Sequence, residues 1–323
     1  DFDNRTYIKE DAGKLLVGIF EANSIPAFKN KNKVPEDFSF GEFQENFEHF
    51  EPYLNAAVKR FPLLETAGIR KFFSGPESFT PDTNTLLGEV TEIKNFFVCC
   101  GLNSIGIGSG GGVGKVTAEW LMTGHINEDI FCYDIKRFQK FHSELGFIKE
   151  RITESLGDLY GVHWPFKQHK TSRNIKTLPH HENLKSFGAC FGVSGGYERP
   201  MWFALDGEKS EYEYSYNYQN WYPSAEYETN NTINNVGLFD LTPFSKFEIF
   251  AEKAHEELQK ICTANIKNEI GKCTYTQMLN SDGGIEADLT IVCLDKNYFR
   301  IISSAATRER DKFHIKKHIS SDI

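Results

Sequence analysis

The sequence predicts a multidomain chain in which an α/β part is followed by an α+β part. Three observations predict it. A strand, a glycine run and a helix-like segment follow one another between Asn95 and Gly124. The last third alternates short strand and helix patterns and contains a hairpin signal at Asn280-Ser281-Asp282-Gly283. Finally, 323 residues with 40% hydrophobic and 14% aromatic content can bury cores for two or three domains.

In chain order, Leu15 to Phe20 reads as a short buried strand, and the Lys-, Asn- and Pro-rich stretch up to Pro35 as a loop. Phe40, Phe43, Phe47, Phe50, Leu54, Ala57 and Phe61 recur every three or four residues, which places them on one helical face as core. Pro52 is expected to divide this stretch into two helices. Asn95 to Cys100 reads as an apolar strand, Gly101 to Gly114 as a glycine-rich loop, and VTAEWLM as a helix stopped by Gly124. From Phe131 to about Lys185 the composition turns polar and reads as a connecting module. The tyrosine-rich SEYEYSYNYQNWYP opens the last part. It is followed by a helix from about Ser224, a strand FSKFEIF, a helix from about Glu252 to Ile261, and strands Lys272 to Leu279 and Gly284 to Leu294.

The net charge of -9 comes from 45 acids and 36 bases scattered along the chain, so no basic stripe offers itself to phosphates or anionic lipid. Nucleic acid and membrane surfaces are therefore not expected as partners. No apolar run reaches the roughly 18 to 20 residues that span a bilayer. Seven cysteines without a CxxC spacing, two of them adjacent at Cys99 and Cys100, suit a reducing compartment. The sequons at Asn4 and Asn230 are read as chance, and no metal is expected from the histidine spacing. Both ends look like cuts.

Gly106, Gly108 and Gly111 form a literal GxGxxG after a strand and before a helix. With so many glycines nearby the match is weak, and no second strand carries an acidic ribose ligand. A P-loop fits worse, because Val116 follows Gly114-Lys115 and Ser109 stands where its first glycine belongs. Bare backbone N–H groups and a helix N-terminus can still hold an electron-rich ligand. Tight strand-to-helix packing explains the glycines equally well.

Several collinear blocks carry a resemblance. PEDFSFGEF, HFEPYLNAAVKRFPLLETAGIRKFFSGPESFTPD, FFVCCGLNSIGIGSGGGVGK, HWPF and GYERPMWFA resemble the C-terminal part of the flavin domain in the amine-oxidising FAD family of dimethylglycine and sarcosine dehydrogenases. YEYSYNYQNWYPSAEYE, NVGLFDLTPFSKFEI, YTQMLNSDGGIEADLTIVCL and SSAATRERD resemble the first half of an aminomethyltransferase domain of the glycine cleavage type. The resemblance implies the C-terminal part of a FAD-dependent oxidoreductase domain over 1–130, a central module over 131–188, and a folate-binding part over 189–323.

It further implies FAD and tetrahydrofolate as cofactors, and an N-methyl glycine derivative as the substrate that is oxidatively demethylated. The electron acceptor is a carrier flavoprotein or oxygen. Gly106, Gly108, Gly110, Gly111, Gly112, Val113 and Gly114 are implied to lie against the flavin ring, with Gly75, Pro76, Glu77, Ser78, Asn103 and Ser104 lining the substrate cavity. Asp288 takes the place of the family's catalytic carboxylate in one-carbon transfer, with Tyr275, Gln277, Asp240 and Arg308 in the folate pocket. On a strand of period two, Glu286, Asp288 and Thr290 face away from Ile285, Ala287, Leu289 and Ile291. The bare sequence also allows a solvated strand acid at Asp288, a surface turn acid at Glu77, a structural turn-bonding Asp240 and an Arg308 paired with a nearby acid.

The implied location is the cytoplasm in a bacterium or the mitochondrial matrix in a eukaryote. The nucleotide fingerprint and a flavin-tethering histidine are expected upstream of Asp1, so these residues alone are not expected to turn over. Two alternatives stay open: a non-catalytic regulatory homologue of the pyruvate dehydrogenase phosphatase type, and a folate-dependent aminomethyltransferase with an inactive oxidase half.

Overall fold

The computed structural model describes residues 1–28 and 33–320. In chain order it runs β1 (Thr6–Asp11), β2 (Lys14–Ile19), α1 (Phe47–Arg60), β3 (Leu86–Glu89), β4 (Phe97–Cys100), α2 (Gly106–Thr123), α3 (Leu145–Leu159), α4 (His181–Ser186) and β5 (Ala189–Ser194). β6 (Tyr197–Phe203), α5 (Tyr222–Asn234), β7 (Ser245–Phe250), α6 (Ala254–Ile261), β8 (Cys273–Leu279), β9 (Ile285–Asp295), β10 (Tyr298–Ser303) and α7 (Arg308–His318) complete it. Two compact units divide the chain. One is built from Asp1–Leu86, Cys100–Gly110 and Phe141–Ser172, the other from Leu87–Cys99, Gly111–Lys140 and Arg173–Ile323.

In the first unit β1 and β2 form an antiparallel hairpin whose loop is Ala12-Gly13. Both loop residues have positive φ, 51° and 73°, the turn whose twist matches that of the strands. The predicted strand at Leu15 is therefore real, but it is half-exposed rather than buried, because β1 is its partner in a two-stranded sheet. Residues 29–32 of the predicted loop lie outside the described residues.

α1 corrects the reading of the phenylalanine stripe. It is one helix running through Pro52, not two. Proline here removes the bond to the carbonyl of Glu48, in an exposed first turn where water can replace it. Asn46 caps the helix, its side chain accepting from His49 N–H at 3.0 Å. The stripe is not a core either: Ala57 is buried, Phe47 and Phe61 are exposed, and Phe40 precedes the helix in open solvent.

α3 lies in the stretch read as a polar connector. Phe147, Arg151 and Ser155, spaced by four, make its buried stripe. Ser155 donates to Pro81 O at 2.7 Å, and Arg151 donates to Thr171 O at 2.7 Å. Gly157 permits close approach, since a Cβ there would sit 1.9 Å from Ala22 O.

The second unit is organised by a four-stranded antiparallel sheet of order β7-β10-β9-β8. Its core joins Met278, Ala287, Leu289, Ile291, Phe299 and Ile301 of the strands to Ala254 and Leu258 of α6 and Ile315 of α7. Strand alternation holds as expected, with Ala287, Leu289 and Ile291 buried and Asp288 exposed. β5 and β6 form a hairpin beside it. There Glu198 is buried and receives Arg173 through Nε at 2.7 Å and Nη2 at 2.6 Å.

Candidate functional site

The glycine run is helical, which corrects its reading as a loop. α2 begins at Gly106, and the loop before it is confined to 101–105. Ser109 Oγ donates to Ile105 O and Thr117 Oγ1 to Val113 O, while Trp120 anchors the C-terminal half by burial. Gly124, at φ 81°, ends the helix with its N–H on Trp120 O at 2.8 Å, as its sequence position implies. A Cβ added at Gly108, Gly110, Gly111, Gly112 or Gly114 would meet nothing within 4 Å. Packing within the chain therefore does not require these glycines. They give α2 a stretch of bare, accessible backbone, which helix propensity alone disfavours.

Just before α2, Asn103 and Ser104 both take positive φ, 49° and 67°. Asn103 is buried and fully engaged: Oδ1 accepts from Thr80 N–H at 2.8 Å, Nδ2 donates to Gly101 O at 2.6 Å, and its carbonyl accepts from Tyr160 Oη at 3.3 Å. Gly75, Glu77 and Ser78 are exposed and Pro76 half-buried. Glu77 acts on two tyrosines. Burial first, and then the Glu77 charge, raise the phenol pKa of Tyr7. Burial likewise raises that of Tyr160, with Glu77 adding to it and a Ser104 hydrogen bond opposing it. Phe20 stacks on Tyr160 with centroids 3.5 Å apart. Of the residues implied to line the substrate cavity, Glu77, Asn103 and Ser104 thus gather around Tyr160. The sequence reading missed that tyrosine.

In the second unit, Asp288 stands on the exposed face of β9 and accepts a hydrogen bond from Tyr275 Oη on β8. This bond is the main cause that raises the Tyr275 phenol pKa. Gln277 lies directly across from Asp288 in the strand register, and Thr263 Oγ1 donates to its Oε1 at 3.4 Å. These three predicted residues share one sheet face. Arg308 and Asp240 make their contacts elsewhere. The Arg308 guanidinium sits 5.5 Å over the Phe247 ring, and Asp240 Oδ1 accepts from Thr242 N–H at 2.8 Å. Burial raises the Asp240 pKa, but the Thr242 hydrogen bonds outweigh it and leave it lowered.

A cavity of about 790 Å³ also lies within the second unit, between the segment after α2, the β8–β9 turn and α7. No predicted residue lines it. His125, buried, faces Asp282 through Nε2 at 2.9 Å and Ser281 through Nδ1 at 3.3 Å. The N–H groups of Asp282, Gly283 and Gly284 that follow Ser281 all donate to Asn280 and are spent as oxyanion donors. Lys136, also buried, is held by Asp134 at 3.0 Å and Glu89 O at 3.1 Å and lies 4.7 Å over the Trp120 ring. Trp120 fits because Gly88 has no side chain: a Cβ there would come within 2.3 Å of the indole. His125 and Lys136 of the cavity wall are thus both held by neighbouring carboxylates.

Residues 1–120 match the family FAD dependent oxidoreductase, 123–177 the FAD dependent oxidoreductase central domain, and 180–323 the GCVT N-terminal domain. The chain is 39% identical to 4-methylaminobutanoate oxidase (formaldehyde-forming) of Paenarthrobacter nicotinovorans, across 98% of this chain and 38% of that protein. It is 34% identical to the mitochondrial pyruvate dehydrogenase phosphatase regulatory subunit of Mus musculus, across 94% of this chain and 35% of that one. Human mitochondrial sarcosine dehydrogenase is also 34% identical, across 90% of this chain and 34% of that protein. The chain spans little more than a third of the length of these curated relatives.

Proposed function

The chain belongs to the family that joins FAD-dependent oxidoreductase domains to a GCVT aminomethyltransferase domain, and from that premise we propose that the whole protein oxidatively demethylates an N-methyl amino acid and passes the one-carbon unit to tetrahydrofolate. The observation that carries this reading is the collinear order of the three matches along the chain. Sarcosine and dimethylglycine are the proposed substrates, with 4-methylaminobutanoate the next to try because a relative is named for it.

The residues fit both cofactors. The bare backbone of α2 leaves open space at five glycines, which suits a planar ring. FAD, when bound, supplies the acceptor for the hydride. Glu77, whose charge reaches Tyr7 and Tyr160, offers a carboxylate to the ammonium group of an amino-acid substrate, while the Tyr160 hydroxyl is held by Asn103 O. On the sheet face, Asp288 is accessible and held in place by Tyr275, so its free oxygen can take a proton from an amine nitrogen. Gln277 adds amide donors and acceptors for a heterocycle edge. Electrons then leave to a carrier flavoprotein or oxygen.

Asp288→Asn tests the folate half in the full-length protein. Amine oxidation is expected to continue unchanged, while methylene transfer to tetrahydrofolate falls by about 10²–10⁴-fold and free formaldehyde appears in its place. An unchanged split between formaldehyde and methylene product would remove Asp288 from the reaction. The similarity to a regulatory subunit favours a second reading, binding without turnover. A flavin that no N-methyl amino acid reduces would support it.

A further inference from the structure

The first unit carries a cluster that none of these readings uses. Glu154 and Asp158 lie one turn apart on α3, so their carboxylates leave the same helix face. The chain beyond the helix brings His169 back across them. Its Nδ1 is 3.9 Å from Glu154 Oε1 and 3.7 Å from Asp158 Oδ2, and one donor atom from each residue lies within 4.8 Å of the other two. Such separations are too long for hydrogen bonds. They approach the edge of about 3.4 Å expected between donors that each sit about 2.1 Å from one tetrahedral ion. The three side chains are 14%, 23% and 34% exposed, enough for water to complete a coordination shell.

We propose that Glu154, Asp158 and His169 form a site for a divalent transition-metal ion, with water in the remaining positions. Glu154 is already oriented as ligating carboxylates usually are. It accepts from Lys170 N–H at 2.9 Å, Thr171 N–H at 2.9 Å and Thr171 Oγ1 at 2.7 Å. Lys167 is the competitor: its ammonium pairs with Asp158 Oδ1 and supplies the positive charge that the metal would bring. Its side chain is 24% exposed and long enough to swing into solvent. Lys167 holds the other oxygen of Asp158 from the one that faces His169, so it leaves the ligand position open and opposes the metal through its charge.

Two carboxylates and one imidazole suit both Mn2+ and Zn2+. Cys99, Cys132 and Cys273 are exposed thiols that would take Zn2+ elsewhere, so Mn2+ is the better probe. The full chain, stripped with a chelator, is titrated with Mn2+ while the free ion is counted by electron paramagnetic resonance. One saturable equivalent is expected. His169→Gln is expected to weaken it about 10- to 100-fold, and Lys167→Met to tighten it about 10-fold by removing the competing charge. The gain in Lys167→Met cannot be produced by misfolding. A His169→Gln chain that binds Mn2+ as the wild type does overturns the site, and so does a Lys167→Met chain that binds no more tightly.

Discussion

His314 and Glu198 show how single side chains set the pH response of the second unit. Burial, together with the charge of His318, pushes the His314 imidazole down to about 4, with Arg310 and Lys317 adding to the effect and Glu286 opposing it. The folded chain keeps His314 neutral where the unfolded chain takes up a proton near the ordinary value of 6.5. Stability is therefore present above that value and is lost as pH falls toward 4. His314→Gln is expected to retain on the order of 2 kcal/mol that the wild type loses across this window, read from urea unfolding at several pH values. Equal acid sensitivity in the two proteins would contradict the burial argument. Glu198 behaves as an acid held down: burial raises its pKa, but the Arg173 pair and Asn174 N–H outweigh this. Glu198→Gln weakens the hold on a half-buried guanidinium and is expected to cost about 2 kcal/mol at neutral pH.

At the scale of elements, the last third was legible and the first half much less so. β8, β9 and the turn between them follow from two-residue alternation around Asn280 to Gly283, and Asp288 falls on the face that alternation assigns it. α3 was hidden because its buried stripe contains Arg151 and Ser155 as well as apolar residues, so the apolar periodicity is thin. α1 showed the periodicity but not the burial, since spacing reports a helix face and not what covers it. α2 was misread because glycine is a poor helix former, while the anchored segment around Trp120 carries the helix back through the glycines. This suggests a test with two opposite signs. Gly110→Ala with Gly111→Ala is expected to raise stability by about 1–2 kcal/mol, because the added methyl groups meet nothing and helix propensity improves. The same pair is expected to weaken flavin retention in the full-length protein, where the bare backbone is proposed to meet the ring. Unchanged flavin content with raised stability would detach α2 from the cofactor.

For the molecule as a whole, the family was legible because its motifs are collinear, and the cavity was not. His125 and Asp282 are 157 positions apart, so no local pattern could bring them together. The same holds for Tyr160 and Asn103, whose contact depends on the fold of the first unit. The glycine run reads from the sequence as a loop with only a weak nucleotide-binding match, whereas the structure offers an exposed helical backbone. The proposed chemistry draws on two separate groups of residues, Glu77 with Tyr7 and Tyr160 in one unit and Asp288 with Tyr275 and Gln277 in the other. The central claim is that the first of these serves an amine-oxidising flavin. The most direct test uses the natural full-length protein, held anaerobically, with its visible flavin spectrum recorded before and after sarcosine and dimethylglycine are added separately. Bleaching of the flavin by either one is the predicted result; a bound flavin that neither they nor 4-methylaminobutanoate reduces, or a protein that binds no flavin, would contradict it.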